Sequence, residues 1–219
     1  MTKEHNISKI DILTLYMDFV IENQTKPEDI EDFCQIVNLE ESNFYLHFKS
    51  LKKVEKAIFK ELFKNSLEVL SESEEFISFD KKNKLISFYF TFFENLNLNR
   101  EYILIALKGC KNQLKSFNTL SSLKKSFIAY IDNLDLSESI LPIEGLEKAQ
   151  RKLINESAWI QLYLTIQFWL EDTSDSFEKT DILIEKSINT SFELIENKFL
   201  KNAFDLGKFV YKEKIQKKY

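Results

Sequence analysis

Apolar side chains along this chain recur at spacings of three and four, and that period divides the sequence into helices. Over residues 8–21, Ile10, Leu13, Met17, Val20 and Ile21 form one stripe, and over residues 27–37, Ile30, Phe33, Cys34 and Val37 form a second. Asn38 breaks the pattern, and asparagine tolerates the left-handed conformation that a tight turn between helices requires. A short helix over residues 40–47 follows, with Leu39, Phe44 and Phe48 inward and Glu41, Ser42, Asn43 and Tyr45 outward. Val54, Ile58 and Leu62, joined by Phe59 and Phe63, then give a broad apolar face over residues 51–70.

Residues 71–80 are polar, acidic and without period, which predicts a loop. Residues 85–93 are apolar nearly all round, so a buried helix is expected over 84–98, with further helices over 99–115 and 120–134. Residues 135–145 read as a connection. A long helix over 144–171 then carries two apolar stripes, Leu146, Leu153, Ile160, Leu164 and Phe168 on one and Ile154, Ala158, Leu162, Thr165 and Trp169 on the other. One stripe packs on its own domain and the other needs a partner, which is a dimerisation signal. Residues 172–174 end that helix, a capping box over 175–178 opens the next, and Ile184, Ile188, Phe192, Ile195 and Phe199 continue the apolar stripe.

The resulting expectation is all-α. Two short helices joined by a tight turn and flanked by longer ones make the helix-turn-helix arrangement that enters a DNA groove. The chain divides into an N-terminal three-helix helix-turn-helix DNA-binding domain at 1–50, a linking helix at 51–70, and a larger helical ligand-binding and dimerisation domain at 71–219. Three Gly and two Pro leave few turn signals, in keeping with long helices. Cys34 and Cys110 are too few for a disulfide scaffold or a cysteine metal site, and they suit a reduced cytoplasmic setting. No apolar run is long enough for a membrane span.

Charge complicates the DNA reading. Residues 1–56 hold seven Lys against eleven acids, a net of −4, whereas DNA readers draw nonspecific affinity from phosphate neutralisation. Lys49, Lys52, Lys53 and Lys56 make the basic patch of this region, at the start of the linking helix. Residues 201–219 carry six Lys against Asp205 and Glu213, a net of +4, either to complement a helix dipole or to lie on an anionic surface.

Residues 25–54 resemble the DNA-binding end of TetR-type transcriptional regulators, through Thr25, Ile30, Asn38 in the turn, and then Tyr45, His47, Phe48 and Ser50. Leu51 stands where that family usually has Lys, and Ser42 where it often has Gly. The resemblance implies phosphate contacts from Thr25, Tyr45 and His47. The base-reading face is Glu41, Ser42 and Asn43, the last suited to adenine, with Lys49, Lys52 and Lys53 supplying positive charge. The two long C-terminal helices resemble the pair with which such regulators build a four-helix dimer interface. Leu162, Trp169, Ile188, Phe192 and Ile195 are the candidates for that interface. Residues 168–174 with Thr180 also resemble the end of the TetR-fold lipid-binding accessory proteins of ubiquinone biosynthesis.

An apolar ligand cavity is expected among Phe88, Phe92, Tyr102, Phe127, Tyr130 and Trp169, since pockets in helical bundles are mostly apolar with a few polar groups. No glycine-rich phosphate loop, H-E-x-x-H or C-x-x-C is present, and the only histidines are His5 and His47. No catalysis, cofactor or metal is therefore expected. The resemblance implies a homodimeric one-component regulator that binds double-stranded operator DNA and responds to a small apolar ligand. The acidic first domain, Leu51, Glu40 and Glu41 motivate an alternative, in which the fold is kept, DNA binding is lost and a lipid or other apolar molecule is held.

Overall fold

The computed structural model describes residues 7–107, 117–136 and 147–196, together with 206, 207, 209, 210 and 213. The elements are α1 (Lys9–Asn23), α2 (Ile30–Ile36), α3 (Glu41–His47), α4 (Leu51–Ser71), α5 (Glu74–Ser78), α6 (Lys81–Leu98), α7 (Arg100–Leu107), α8 (Ser121–Leu134), α9 (Glu147–Glu171) and α10 (Glu178–Glu196), with a 3-10 turn at Asp175–Phe177. Among the described residues no strand occurs, so the fold is all-α. Cys110, Leu146, Phe199 and most of the lysine-rich tail lie outside the described residues.

Two compact units are present, each drawn from two stretches of chain: Met1–Glu72 with Thr91–Ser126, and Ser73–Phe90 with Phe127–Tyr219. The first is a set of helices around rings packed at steep angles to one another. Ser8 and Asp11 form a reciprocal capping box at the start of α1, with bonds of 2.8 and 3.2 Å. Phe33 on α2 sits at the centre, its ring 5.7 Å from Tyr16, 5.9 Å from Phe19 and 6.0 Å from Phe44. Tyr16 and Phe19 therefore rotate α1 so that Ile12, Leu13, Tyr16, Phe19 and Val20 are buried, while Ile10, expected inside, is 47% exposed.

Helix α2 begins three residues later than the sequence suggested. Lys26 precedes a proline, which disfavours helical backbone there, and Pro27 is buried. The cap falls to Asp29, whose carboxylate accepts from the Asp32 amide at 2.9 Å, so Thr25 caps nothing and is exposed. Downstream, Asn95 on α6 donates to the Leu62 carbonyl on α4 at 2.9 Å and joins those helices within the same unit.

In the second unit, Phe88 on α6 packs against Phe127 and Tyr130 on α8, with ring centroids 5.6 and 5.0 Å away. Residues 71–80 are not all loop, because Ser73 accepts from the Phe76 amide and starts the short α5. Helix α6 opens at Lys81, with Asp80 accepting from the Asn83 amide, and it exposes Phe90 and Leu98 where an all-round buried helix was expected. The corner between α9 and α10 is built on Asp172 rather than on a box over 175–178. One carboxylate oxygen of Asp172 accepts from Ser174 N and Oγ at 2.9 and 2.6 Å, the other from Thr180 N and Oγ1 at 2.9 and 2.6 Å. Desolvation raises the Asp172 pKa, but these four bonds outweigh it and hold the carboxyl well below the usual range. With the corner pinned, Gln161 on α9 meets Ser187 and Ser191 on α10 at 3.0 and 3.1 Å, as an antiparallel pair requires.

Candidate functional site

The first candidate surface is α3 with the start of α4. Helix α2 closes in a Schellman motif: Asn38 takes φ +53°, its amide reaches the Gln35 carbonyl at 3.4 Å, and the Leu39 amide reaches the Cys34 carbonyl at 2.9 Å. This turn buries Leu39 and lets Phe44 and Phe48 pack beneath α3. Glu41, Ser42, Tyr45 and His47 are exposed and Asn43 is half-buried, all on the seven-residue helix expected to read bases. Leu46, 73% exposed on the same helix, is an apolar side chain that sequence reasoning passed over because it falls off the periodic stripe.

His47 has an internal partner. Its Nε2 lies 2.8 Å from the Ile7 carbonyl and, when protonated there, donates to it, tying Ile7 to α3. Lys49, Lys52 and Lys53 are exposed around the N-terminus of α4, and Lys9 lies over the Phe48 ring at 5.7 Å. The Ser50 hydroxyl makes no capping bond, while the Lys53 and Val54 amides return to the Ser50 carbonyl. The first two amides of α4 thus have no partner within their helix, which suits an anion beside three lysines. The acids of this region are partly consumed internally, Asp11 and Asp29 as caps and Glu55 in a buried bond network, which the net charge alone conceals. Glu40 and Glu41 remain exposed. Cys34, beneath α3, has its thiol pKa pushed up by burial and then by the charge of Glu41.

The second candidate is a groove of about 530 Å³ in the second unit, between α9 and α10. Leu153, Ile154, Ile160 and Leu164 line it from α9 and Leu183, Phe192 and Leu194 from α10, with Leu85 and Leu136. Its polar groups are Gln150, Ser157, Gln161, Thr165, Ser187 and Ser191, and no charged side chain lines it among the described residues.

None of the six residues expected to hold a ligand lines this groove. Phe88, Phe127 and Tyr130 do come together, but as packed rings within the second unit, and the Tyr130 hydroxyl donates to the Lys84 carbonyl. Phe92 and Tyr102 are fully buried in the first unit, and Trp169 is fully buried on α9 against Phe177. The six expected side chains are packed elsewhere, and the groove is lined by aliphatic and polar residues with Phe192 as its aromatic member.

Four of the five expected dimer residues lie in the interior of the chain. Leu162, Trp169, Ile188 and Phe192 are buried in the chain's own packing and offer little surface to a second chain; the Ile195 side chain lies outside the described residues. The outward apolar row is the other stripe of α9, where Leu153, Ile160, Leu164 and Phe168 are 54, 51, 58 and 42% exposed. The period separated two stripes but could not tell which one faced in, and the buried Trp159, Tyr163 and Ile166 belong to neither.

No helix of the described residues is long and apolar enough to cross a membrane. No curated protein matches the chain. A family model described as the tetracyclin repressor-like C-terminal domain matches residues 84–210, which include both α9 and α10. That match spans more than half of the chain and follows the helix pair α2 and α3, so the chain belongs to the TetR family.

Proposed function

We propose that this chain is a homodimeric one-component transcriptional regulator that acts by binding rather than by turnover, in the cytoplasm. The observation that carries this reading is the Schellman-closed turn at Asn38, which presents Ser42, Asn43, Tyr45 and Leu46 on one short helix ahead of a TetR-type C-terminal domain. Helix α3 enters the major groove, where Asn43 pairs with adenine, Ser42 reads either base and Leu46 meets a thymine methyl. Lys49, Lys52, Lys53 and the open N-terminus of α4 hold phosphates, with Thr25 and Tyr45 as further contacts. The exposed row on α9 pairs with a second copy, so palindromic half-sites mirror the two-fold axis. An apolar ligand in the second unit acts through its preference for one of two dimer conformations.

Exposed Glu40 and Glu41 favour a second reading, a TetR-fold protein that holds an apolar molecule and no longer engages DNA. One experiment separates them. The purified chain is incubated with a pool of random duplex DNA at low and moderate salt, and the retained DNA is sequenced. Enrichment of a palindrome that is lost in the Asn43→Ala, Tyr45→Ala variant establishes the regulator. No retention even at low salt, where phosphate contacts are strongest, establishes the second reading.

A further inference from the structure

In the first unit a cleft of about 160 Å³ is lined from α1, α4 and the end of α6. Leu13, Ile58 and Leu62 give it a buried apolar wall, and Ile10, also in the lining, is 47% exposed. Glu61 is the charged lining residue among the described ones, with its side chain 23% exposed. Hydrogen bonds within the unit have spent the donors beside it. Both Nδ2 hydrogens of Asn95 are taken, by the Leu62 carbonyl at 2.9 Å and Ser66 Oγ at 3.3 Å, and both of Asn99 by the carbonyl and Oδ1 of Asn95 at 2.8 and 3.2 Å. What remains for the cleft is acceptors: the Glu61 carboxylate and Asn99 Oδ1, which accepts from no described residue. Lys64 reaches Glu61 at 3.3 Å but Glu68 at 3.0 Å on an exposed helix face, so it keeps a partner when Glu61 turns to a ligand.

We propose that this cleft binds a small primary ammonium ion on a short alkyl body, the cation held by the Glu61 carboxylate and Asn99 Oδ1 and the chain lying on Leu13, Ile58 and Leu62. A carboxylate beside a carboxamide whose donors are spent selects a ligand that donates and carries positive charge. An ammonium does both with three N–H bonds, whereas a neutral hydroxyl has one donor and leaves the carboxylate uncompensated. A divalent metal needs several oxygen ligands and gains nothing from an apolar wall. The cleft is smaller than sites that hold drug-sized molecules, which keeps the alkyl body short. None of its residues belongs to the α9 row assigned to a second copy, and the site does not depend on the ligand read into the second unit.

Hexylammonium, 1-hexanol and hexanoate share one body and differ in the head, so they serve as probes. Each is titrated calorimetrically at neutral pH and equal ionic strength into the full-length protein, the Glu61→Gln variant and the Thr14→Trp variant, with circular dichroism confirming that both variants keep their helices. The ammonium is expected to bind at least about fivefold more tightly than the alcohol, and the carboxylate to give no binding heat. Glu61→Gln should bring the ammonium down to the level of the alcohol while leaving the alcohol unchanged. Thr14→Trp, which crowds the cleft, should abolish binding of both. Equal affinity for ammonium and alcohol overturns the assignment, because it removes the role of the charge. So does ammonium binding that survives either substitution, which places the cation elsewhere on an acidic surface. Absence of binding by any probe to the unsubstituted protein overturns it outright.

Discussion

The phenol of Tyr16 on α1 donates to Oε1 of Glu55 on α4 at 3.1 Å, and Oε2 of the same carboxylate accepts from Lys26 at 2.7 Å. One buried carboxylate thus ties together α1, the segment ahead of α2, and the linking helix. The Tyr102 ring lies 6.4 Å from that of Tyr16, and its buried hydroxyl has no hydrogen-bond partner among the described residues. Glu55→Leu should cost about 1–3 kcal/mol, because it leaves the Tyr16 hydroxyl buried and unpaired. Lys26→Met should cost under about 1 kcal/mol, since that ammonium is about a third exposed and water screens it. Chemical denaturation of both variants decides the ranking, and equal losses would place the stabilisation in the ion pair.

Alkaline pH should destabilise the fold. Burial raises the phenol pKa values of Tyr16, Tyr89 and Tyr102, with Glu55 adding to the first and Tyr16 and then Glu55 to the last. Unfolded, these phenols titrate near 10.0. The unfolded chain therefore loses its protons first, and stability that is complete below that value falls as pH climbs through it, by up to about 1.4 kcal/mol per pH unit for each phenol. Unfolding free energies measured alongside tyrosinate absorbance test this. Tyr89→Phe should flatten the slope by one phenol's share.

Leu164→Glu and Ile160→Glu should give monomers with helicity intact, because both side chains are more than half exposed within the chain. Leu162→Glu and Ile188→Glu should instead lose at least about 3 kcal/mol, since each buries an unpaired charge. Sedimentation and circular dichroism report the two effects separately. A Leu164→Glu chain that still sediments as the unsubstituted dimer would remove this row from the interface.

Lys52→Ala and Lys53→Ala should weaken binding to every duplex by similar factors. Each is expected to reduce the slope of log affinity against log salt by about 0.9 if it neutralises one phosphate. Asn43→Ala should leave that slope in place and relax base preference. Fluorescence anisotropy over a salt series distinguishes the two behaviours, and an unchanged slope in the lysine variants would deny them phosphate contact.

Periodicity is a property of neighbours along the chain, so it marked the longer helices but not the short α5, together with the turn at Asn38, the inward Phe44 and Phe48, and two stripes of α9. It could not orient α9: a helix with apolar residues on both faces is turned by what packs against it, and here Trp169 and Leu162 went inside while Leu164 and Phe168 stayed out. Nor could it choose the cap of α2, where a buried Pro27 moved the start from Thr25 to Asp29.

The sequence by itself determined an all-α chain with a short helix pair joined by a left-handed residue, because these follow from local spacing and one residue's backbone tolerance. The tertiary structure decided the rest. Glu55 was one acid among eleven until Tyr16, 39 residues away, and Lys26, 29 away, converged on it. Gln150 was one more polar residue on a helix until folding buried its side chain beside a groove. Burial and convergence are relations between distant segments, and no local period contains them.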